Sequence, residues 1–371
     1  MIPVNKPKFF GNEKKYLLNC INTSWISSEG PYVTKFEDKL SSYLNRKYGV
    51  AVTSGTAALE VAVKALNLNQ GDEIIIPSFS IISCLQAVTN AKCVPIFVDC
   101  NYRTFNIDID KIKNKITKKT KAIIIAHIYG LAVDLEKILK VCKEKKIKVI
   151  EDAAEVIGLT YKDKKCGSFG DISILSFYAN KHINTGEGGM ILTNNKILME
   201  RCKKLRNLNF QNKKRFIHND IGFNYRMTNL QAAIGLAQLE NINKIIKIKR
   251  KIGRIYNTLL KDVKNIYLPI DKYDFSQNIY WVYPIIIKDN SNYTSKIIMK
   301  KLASKGIQCR PFFYPLHKQP ALKKINNLYK NQIKLKNSEK LYIKGFYIPS
   351  GLALKYNEQK KVSEEIKKIF N

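Results

Sequence analysis

Short β-branched runs recur through the first half of the chain, at Ile74–Ile76, Val94–Val98, Ala122–Ala126, Ile147–Ile150, Ile172–Leu175 and Met190–Thr193. Helix-period segments lie between them, around 56–67, 80–90, 108–115 and 134–145. Strands that are apolar throughout must be covered on both faces, so this order of elements predicts a mainly parallel sheet packed between helices. In such sheets ligands collect outside the carboxyl ends of the strands. A chain of 371 residues exceeds what one core normally supports. We therefore expect an α/β protein in two parts: a large domain over 1–245, including an N-terminal segment, and a smaller C-terminal α/β domain over 246–371. Thr228-Asn-Leu-Gln231 has the capping-box pattern and opens a long helical region toward Leu260 that should link the two, with Ala232, Leu236 and Leu239 on one face. Beyond it we predict a strand over Ile279–Ile287, a helix over Thr294–Gly306, and a strand and turn over Tyr342–Gly351.

Composition narrows the class. Hydrophobic residues make up 45% and charged residues 25%, both ordinary for a globular chain. No run of about eighteen apolar residues is present, and the N-terminus lacks the apolar core of a signal peptide, so a cytoplasmic protein with no membrane partner is expected. The cysteines at 20, 84, 93, 100, 142, 166, 202 and 309 include no Cys-x-x-Cys pair, which predicts no disulfide and no structural metal. A formal charge of +34 is compatible with nucleic acid, an anionic membrane or an anionic small substrate. The lysines are scattered along helical faces, densest at Lys113–Lys121 and Lys244–Lys251, with no aromatic-interleaved basic motif. Solvated faces account for them better than a nucleic-acid groove.

Two residues decide what chemistry is open to the chain. Asp152 stands just beyond the run Ile147–Ile150, within Glu151-Asp-Ala-Ala-Glu155, and Lys181 ends the segment Ser176-Phe-Tyr-Ala-Asn-Lys181. A lysine can hold an aldehyde cofactor as a Schiff base, and a buried carboxylate can keep a pyridine nitrogen protonated, so the pair reads as a pyridoxal phosphate site. The plainer accounts are a solvated loop cation and a carboxylate that caps a loop. Glu155 could reach the phenolic edge of the same ring. Ser54-Gly55-Thr56-Ala57 follows Gly49–Val52 and leads into a helix, where N-terminal amides could bind a phosphate; an ordinary Ser/Thr N-cap has the same pattern. Ser176 could add a phosphate contact, and Phe79, after Ile74–Pro77, could stack on the ring or simply fill core. Gly186-Glu-Gly-Gly189 lacks dinucleotide-loop spacing and precedes a strand, so tight turning is its expected role. Histidines 127, 182, 218 and 317 show neither triad nor metal-ligand spacing. Arg310, Tyr314 and His317 occupy a Pro-bounded aromatic loop that could close over a substrate, as could Trp25 to Ser28; loop packing explains them equally well.

Taken in order, Ser54-Gly-Thr-Ala-Ala, Pro77-Ser-Phe79, Glu151-Asp-Ala-Ala-Glu155, Ser176-Phe-x-x-x-Lys181, Gly186-Glu-Gly-Gly189 and Asn224-Tyr-Arg-Met-Thr resemble the sugar-nucleotide aminotransferases of the DegT type, over nearly the whole chain. The resemblance implies the type I pyridoxal-phosphate-dependent aminotransferase fold and a homodimer with its active sites at the subunit interface. It implies transfer of an amino group from L-glutamate, through the pyridoxamine phosphate form, to a nucleotide-linked 4-keto-6-deoxy sugar. By the same resemblance Lys181 binds the cofactor and moves protons, Asp152 meets the pyridine nitrogen and Glu155 lies near the ring hydroxyl. Gly55, Thr56, Ala57 and Ser176 bind the phosphate, Phe79 stacks, and Asn224 reaches the phosphate from the other subunit. Trp25, Ser28, Arg310, Tyr314 and His317 are the candidate sugar-nucleotide contacts.

Met1-Ile-Pro-Val, Thr23–Ser28, His127–Gly130 and Arg310–His317 are most similar to family members acting on GDP-4-keto-6-deoxymannose. UDP- or dTDP-linked sugars and amination at the 3-position are the alternatives. His182 and Ala179 depart from the family pattern, which bears on the sugar pocket. A dehydratase on the same fold is the nearest rival, but such relatives carry histidine at the lysine position, so Lys181 favours transamination. A non-catalytic regulatory protein that binds nucleic acid is the rival from another class, and no helix-turn-helix or additional domain is visible to support it.

Overall fold

The computed structural model describes residues 1–211, 215–324 and 333–370. Among these, seven strands form the main sheet: β1 (Tyr48–Val52), β2 (Glu73–Pro77), β3 (Val94–Val98), β4 (Thr120–Ala126), β5 (Lys148–Asp152), β6 (Ile172–Ser176) and β7 (Gly189–Thr193). Their order is β1-β7-β6-β5-β4-β2-β3, with β2 to β6 mutually parallel and β7 antiparallel to both of its neighbours. The expected mainly parallel sheet is therefore present.

Helices cover both of its faces: α1 (Glu13–Asn22), α2 (Pro31–Tyr43), α3 (Gly55–Ala65), α4 (Ile82–Asn90), α5 (Leu135–Glu144), α6 (Lys196–Arg206), α7 (Asn229–Glu240) and α8 (Ile242–Leu260). Alternate strand residues point to opposite faces. Ile74, Ile76, Ile124 and Ile150 meet the core formed with α3, α4 and α6, while Ile75, Ile123, Ile125 and Val149 meet the one formed with α2, α5 and α7. At roughly 1.5–3 kcal/mol for each fully buried side chain, this two-sided burial is why the strands show no polar alternation. The helical stretch expected over 108–115 is only a single turn, Ile109–Ile112, followed by a 3-10 turn.

The capping box at Thr228 is formed, with Gln231 N–H donating to Thr228 Oγ1 at 3.2 Å and Thr228 N–H to Gln231 Oε1 at 3.0 Å. The long helix expected from it is interrupted at Asn241, whose side-chain amide donates to the Ala237 carbonyl and so competes with the helical ladder. α8 then crosses between two cores. Ile242 and Ile246 pack against the main sheet, whereas Ile252, Tyr256 and Leu260 pack into a second core. The boundary expected at 245/246 thus falls inside one continuous helix.

The second core is built on β8 (Ile266–Tyr267), β9 (Tyr283–Ile287), β10 (Arg310–Pro311) and β11 (Gly345–Ile348), in the order β8-β9-β11-β10 and antiparallel throughout. α9 (Ser295–Ala303), α10 (Lys336–Lys344) and α11 (Tyr356–Phe370) accompany it. Two local expectations change here. The strand predicted from Ile279 starts only at Tyr283, because Tyr280 sits in the left-handed region at φ 51° and cannot continue a ladder. Tyr342 lies in α10, and the strand follows it from Gly345. The first residues of the chain join this unit as well: Ile2 N–H donates to Gly306 O, and the amides of Ser350 and Ala353 donate to Val4 O and Lys6 O.

α8 meets the irregular segment at Gly253, where an added Cβ would lie 2.4 Å from the Tyr280 ring. That ring is fixed by hydrogen bonds from its hydroxyl to Asp271 at 2.7 Å and with Asn257 at 2.9 Å. Gly253→Ala gains about 1 kcal/mol of helix propensity but overpacks a buried contact at a cost of about 1–3 kcal/mol. We expect a net loss and a lower melting temperature. An unchanged or raised one would show that Tyr280 gives way.

Candidate active site

A cleft of about 360 Å³ opens at the carboxyl ends of β4, β5 and β6, beside the N-terminus of α3. Trp281, Phe313 and Tyr347 close it from the second unit. This is the position that parallel-sheet geometry predicts for a ligand.

β5 ends in two adjacent acids that point to opposite faces and meet opposite fates. Glu151 is fully buried and receives the amides of Gly167 (2.6 Å) and Phe169 (2.8 Å), Ser173 Oγ (3.0 Å) and His127 Nε2 (3.0 Å). Burial raises its pKa, but the His127 hydrogen bond, with the Gly167 amide and Arg46, more than offsets that and holds it below the usual range. Asp152, also buried, faces the cleft, and among the described residues its carboxylate receives only the Ala154 amide at 3.1 Å and a weak Cys84 thiol contact at 3.8 Å. Burial therefore pushes its pKa up, against the opposing pull of Ala154 N–H and Lys181. A buried carboxylate with so few donors calls for a cationic partner, and a protonated ring nitrogen fits that need.

Glu155, one turn beyond, faces Lys181, with Oε1 3.8 Å from Nζ, while its Oε2 accepts the Tyr129 amide at 2.8 Å. Burial pushes Glu155 up to about 7, although Lys181 and the Tyr129 amide draw it down. Burial likewise lowers the pKa of Lys181, opposed by Glu155 and Asp152. The loop that carries Lys181 is tied down from outside its own strand: Asn5 Nδ2 donates to Ala179 O at 3.1 Å, and Trp281 Nε1 donates to Asn180 O at 3.0 Å. His182 is buried, approaches Ile279 O at 3.4 Å, and has its pKa lowered to about 3 by burial and by the charge of Lys249. It is held uncharged, and it lies beneath the lysine loop, outside the cleft lining.

At the other end of the cleft Ser54 caps α3, its Oγ accepting the Ala57 amide at 3.0 Å. That leaves the amides of Gly55 and Thr56 at the helix start, with the Thr56 hydroxyl 2.7 Å from Ser83 Oγ, beside Ser176. Gly55 is needed for this approach, since a Cβ there would stand 2.8 Å from Ser176 Cβ. A helix N-terminus, two hydroxyls, a buried amine and, as acceptor, an under-satisfied carboxylate make a set of groups suited to a cofactor with a phosphate, an aldehyde and a basic ring nitrogen.

Gly55, Thr56, Asp152, Glu155, Ser176 and Lys181 thus converge on one cleft. Three other expectations need correction. Phe79 does not cover the cleft: it is fully buried in an aromatic cluster with Phe105, Tyr129, Phe312 and Phe313, because the strand end turns its ring inward. Ile81 and Ile82, exposed by 44% and 37%, line the cleft instead. The Ala57 amide is occupied by the Ser54 cap, so it is not a free phosphate donor. His317 is buried with both ring nitrogens engaged, by Ser78 Oγ at 2.6 Å and Glu339 at 3.1 Å, and pins the loop after β2 to α10.

Trp25, Arg310, Tyr314 and Asn224 are exposed outside the cleft, and Ser28 borders a separate polar groove with Glu37 and Arg206. The cleft residues that sequence reasoning passed over are Ile81, Ile82, Tyr178, Trp281, Phe313 and Tyr347. Phe313 belongs to the Pro-bounded aromatic loop that the sequence marks, whereas Trp281 and Tyr347 lie in or beside strand-like runs of the second unit with no local signal of a site. His127, Glu151 and Cys166 bring metal-binding atom types within 4.8 Å of one another. His127 and Glu151 are already committed to other partners, however. The Val133 amide donates to His127 Nδ1 at 3.1 Å, which leaves the Nε2 proton for Glu151.

The sequence profile of the DegT/DnrJ/EryC1/StrS aminotransferase family matches residues 9–367. The GDP-perosamine synthase of Vibrio cholerae is 38% identical over 374 residues, spanning 100% of both chains. That of Escherichia coli O157:H7 is 41% identical over 322 residues, 86% of each. Among solved structures, Helicobacter pylori PseC, an aminotransferase involved in the biosynthesis of pseudoaminic acid, has a TM-score of 0.93 at 24% identity, covering 100% of this chain and 99% of its own. That likeness is one of fold, and it agrees with the sheet order and the cleft described above. With a profile match over almost its entire length and relatives near 40% identity over 86% to 100% of it, the chain belongs to the DegT/DnrJ/EryC1/StrS aminotransferase family.

Proposed function

We propose that the chain is a pyridoxal-phosphate-dependent aminotransferase that moves the amino group of L-glutamate to C4 of GDP-4-keto-6-deoxymannose, forming GDP-perosamine. The observation that carries this reading is the Lys181 amine beside Glu155 and facing the under-satisfied Asp152, in a chain that is 38% and 41% identical, over 100% and 86% of its length, to two relatives named GDP-perosamine synthase. Bound pyridoxal phosphate supplies an aldehyde to carry the amino group and a ring that draws electrons from the carbon losing its proton.

The chain's own residues supply the rest. Asp152 keeps the proton on the ring nitrogen, because its buried carboxylate gains a partner only while that proton is present. The Gly55 and Thr56 amides, with Ser176, anchor the phosphate. The Lys181 amine takes a proton from the donor's Cα and later delivers one to the sugar carbon; burial helps by keeping part of the amine neutral and able to accept. Glu155, next to that amine, orients it and holds the Tyr129 peptide at the cleft wall. The apolar rim of Ile81, Ile82, Phe313 and Tyr347 excludes water around the exchange.

A homodimer completes the reading. Trp25, Ile26, Phe216, Ile217 and Ile221 are each about half exposed or more, an apolar surface that a second copy would cover. Asn224 lies outside its own protomer's cleft, as a residue serving the partner's site would. The dehydratase alternative lacks support at the lysine position, where Lys181 is present.

Asp152→Asn should slow both half-reactions by about two orders of magnitude or more, the scale of losing one electrostatic stabiliser of a transition state; single-turnover spectra with glutamate and with the keto sugar measure each half. Near-normal turnover would remove Asp152 from this role.

Glu155 gives a pH test. A carboxyl raised from 4.5 to about 7 on folding contributes its stability in full below its unfolded pKa and loses it as pH rises through the folded value. Glu155→Gln removes that titration, so the cofactor-free variant should gain on the parent between about pH 4.5 and 7, by up to ~3 kcal/mol and less for the lost Lys181 pairing. Melting curves at both ends of the window check this; a difference independent of pH would contradict it.

The substrate is tested by converting the enzyme to its pyridoxamine form with glutamate and adding GDP-4-keto-6-deoxymannose. Return of the original visible band with a new 4-amino sugar is expected. Failure there, with success on a UDP- or dTDP-linked keto sugar, would reassign the nucleotide, and a 3-deoxy product would indicate a dehydratase.

A further inference from the structure

Lys181 Nζ lies 3.8 Å from the centroid of the Trp281 indole, well inside the roughly 6 Å reach of a cation–π contact, and 3.8 Å from Glu155 Oε1. The amine is therefore held between a carboxylate and an aromatic face. Trp281 is itself fixed at three points. Its Nε1–H donates to the carbonyl of Asn180, the residue before the lysine, at 3.0 Å. Its own carbonyl accepts a hydrogen bond from Lys249 Nζ at 2.9 Å, a buried lysine of α8 that also donates to Ser350 O. Its ring packs at 30° to Tyr129, with centroids 5.9 Å apart. An indole that served only to fill core would place neither its N–H on the lysine's loop nor its face under the lysine's amine.

We infer that Trp281 is a positioning residue for Lys181: its N–H fixes the peptide from which the lysine extends, and its face stabilises the protonated amine within a buried site. This deepens the aminotransferase reading of Lys181 and rests on it. Burial and the ring face act on the amine in opposite senses. Burial favours the neutral form and the π density favours the charged one, so the contact helps keep both forms accessible to a residue that must accept and return a proton. The acids facing the amine are Asp152 and Glu155 from the end of β5. His127 at the end of β4, Tyr178 and His182 in the lysine's own loop, Glu187 before β7, and Tyr347 and Lys249 from the second unit are the other titratable groups around the cleft and the lysine loop.

Fluorination of the indole separates the ring face from all of these, because it withdraws π density while leaving the ring's size and N–H in place. The chain has two tryptophans, so a Trp25→Phe background makes Trp281 the sole indole. Holoenzyme is prepared with ordinary, mono-, di- and trifluorotryptophan, and its visible band is titrated against pH. Because the face favours the charged form, weakening it should lower the titration midpoint stepwise, by roughly half to one pH unit across the series, a three- to ten-fold change in proton affinity. A midpoint independent of fluorine content overturns the inference. If no visible band forms that hydride reduction fixes to Lys181, it is the aminotransferase reading that fails. The same series is then scored by the pH dependence of Lys181 acylation, followed by mass spectrometry: a stepwise fall supports the contact and an invariant profile overturns it.

Discussion

A carboxylate buried at the end of a central strand is the constraint on which the site depends. Asp152 faces the cleft with one amide and a thiol for company, whereas its neighbour Glu151, on the other face of the same strand, is surrounded by donors. The two-residue period of β5 places them there, and the donor supply decides their behaviour: one is held ionised, the other raised and in need of a cation. The Glu151 side, with Arg46 donating to the carbonyls of Gly167 and Gly170 and to Ser173 Oγ, locks the turn that leads into β6. A satisfied acid stabilises the fold directly beneath an unsatisfied one that is available for chemistry.

The second dependency is on contacts between units. The lysine loop has one carbonyl held by Asn5 from the N-terminal segment and the next by Trp281 from beyond α8. α8 contributes to the main core and the second core along one continuous helix, so the residues at 278–282 sit at a fixed distance from β4 and β5. Gly130 takes part in the same junction: at φ 91°, its carbonyl accepts the Ile279 amide while a Cβ would strike the Tyr280 and Trp281 amides. The cleft is a property of this junction more than of either unit.

Much of this could be read from the chain. The β-branched runs marked the strands of the main sheet because burial on both faces leaves no room for polar alternation, and Thr228 with Gln231 marked a helix start because a capping box is a local hydrogen-bond device. The motif residues that converge on the cleft stand at strand ends and a helix start, positions that a parallel sheet brings together by topology alone. Phe79 and His317 were misread for a common reason. Their residue types suit a ligand, but whether a ring turns toward a cleft or into the core is set by partners far away in sequence, here Phe105 and Phe312 for one and Ser78 with Glu339 for the other.

The sequence by itself determined the order of elements, the two-sided core and the chemical types available at the cleft, because these follow from periodicity and from groups whose function is intrinsic, such as an amine, a carboxylate and a helix N-terminus. Tertiary structure alone decided that Trp281 lies against Lys181, that Ile81 and not Phe79 faces the cleft, and that Glu155 approaches the amine. Those outcomes depend on contacts across different units and on how many donors reach each buried group, and neither quantity is encoded within any single stretch of the chain.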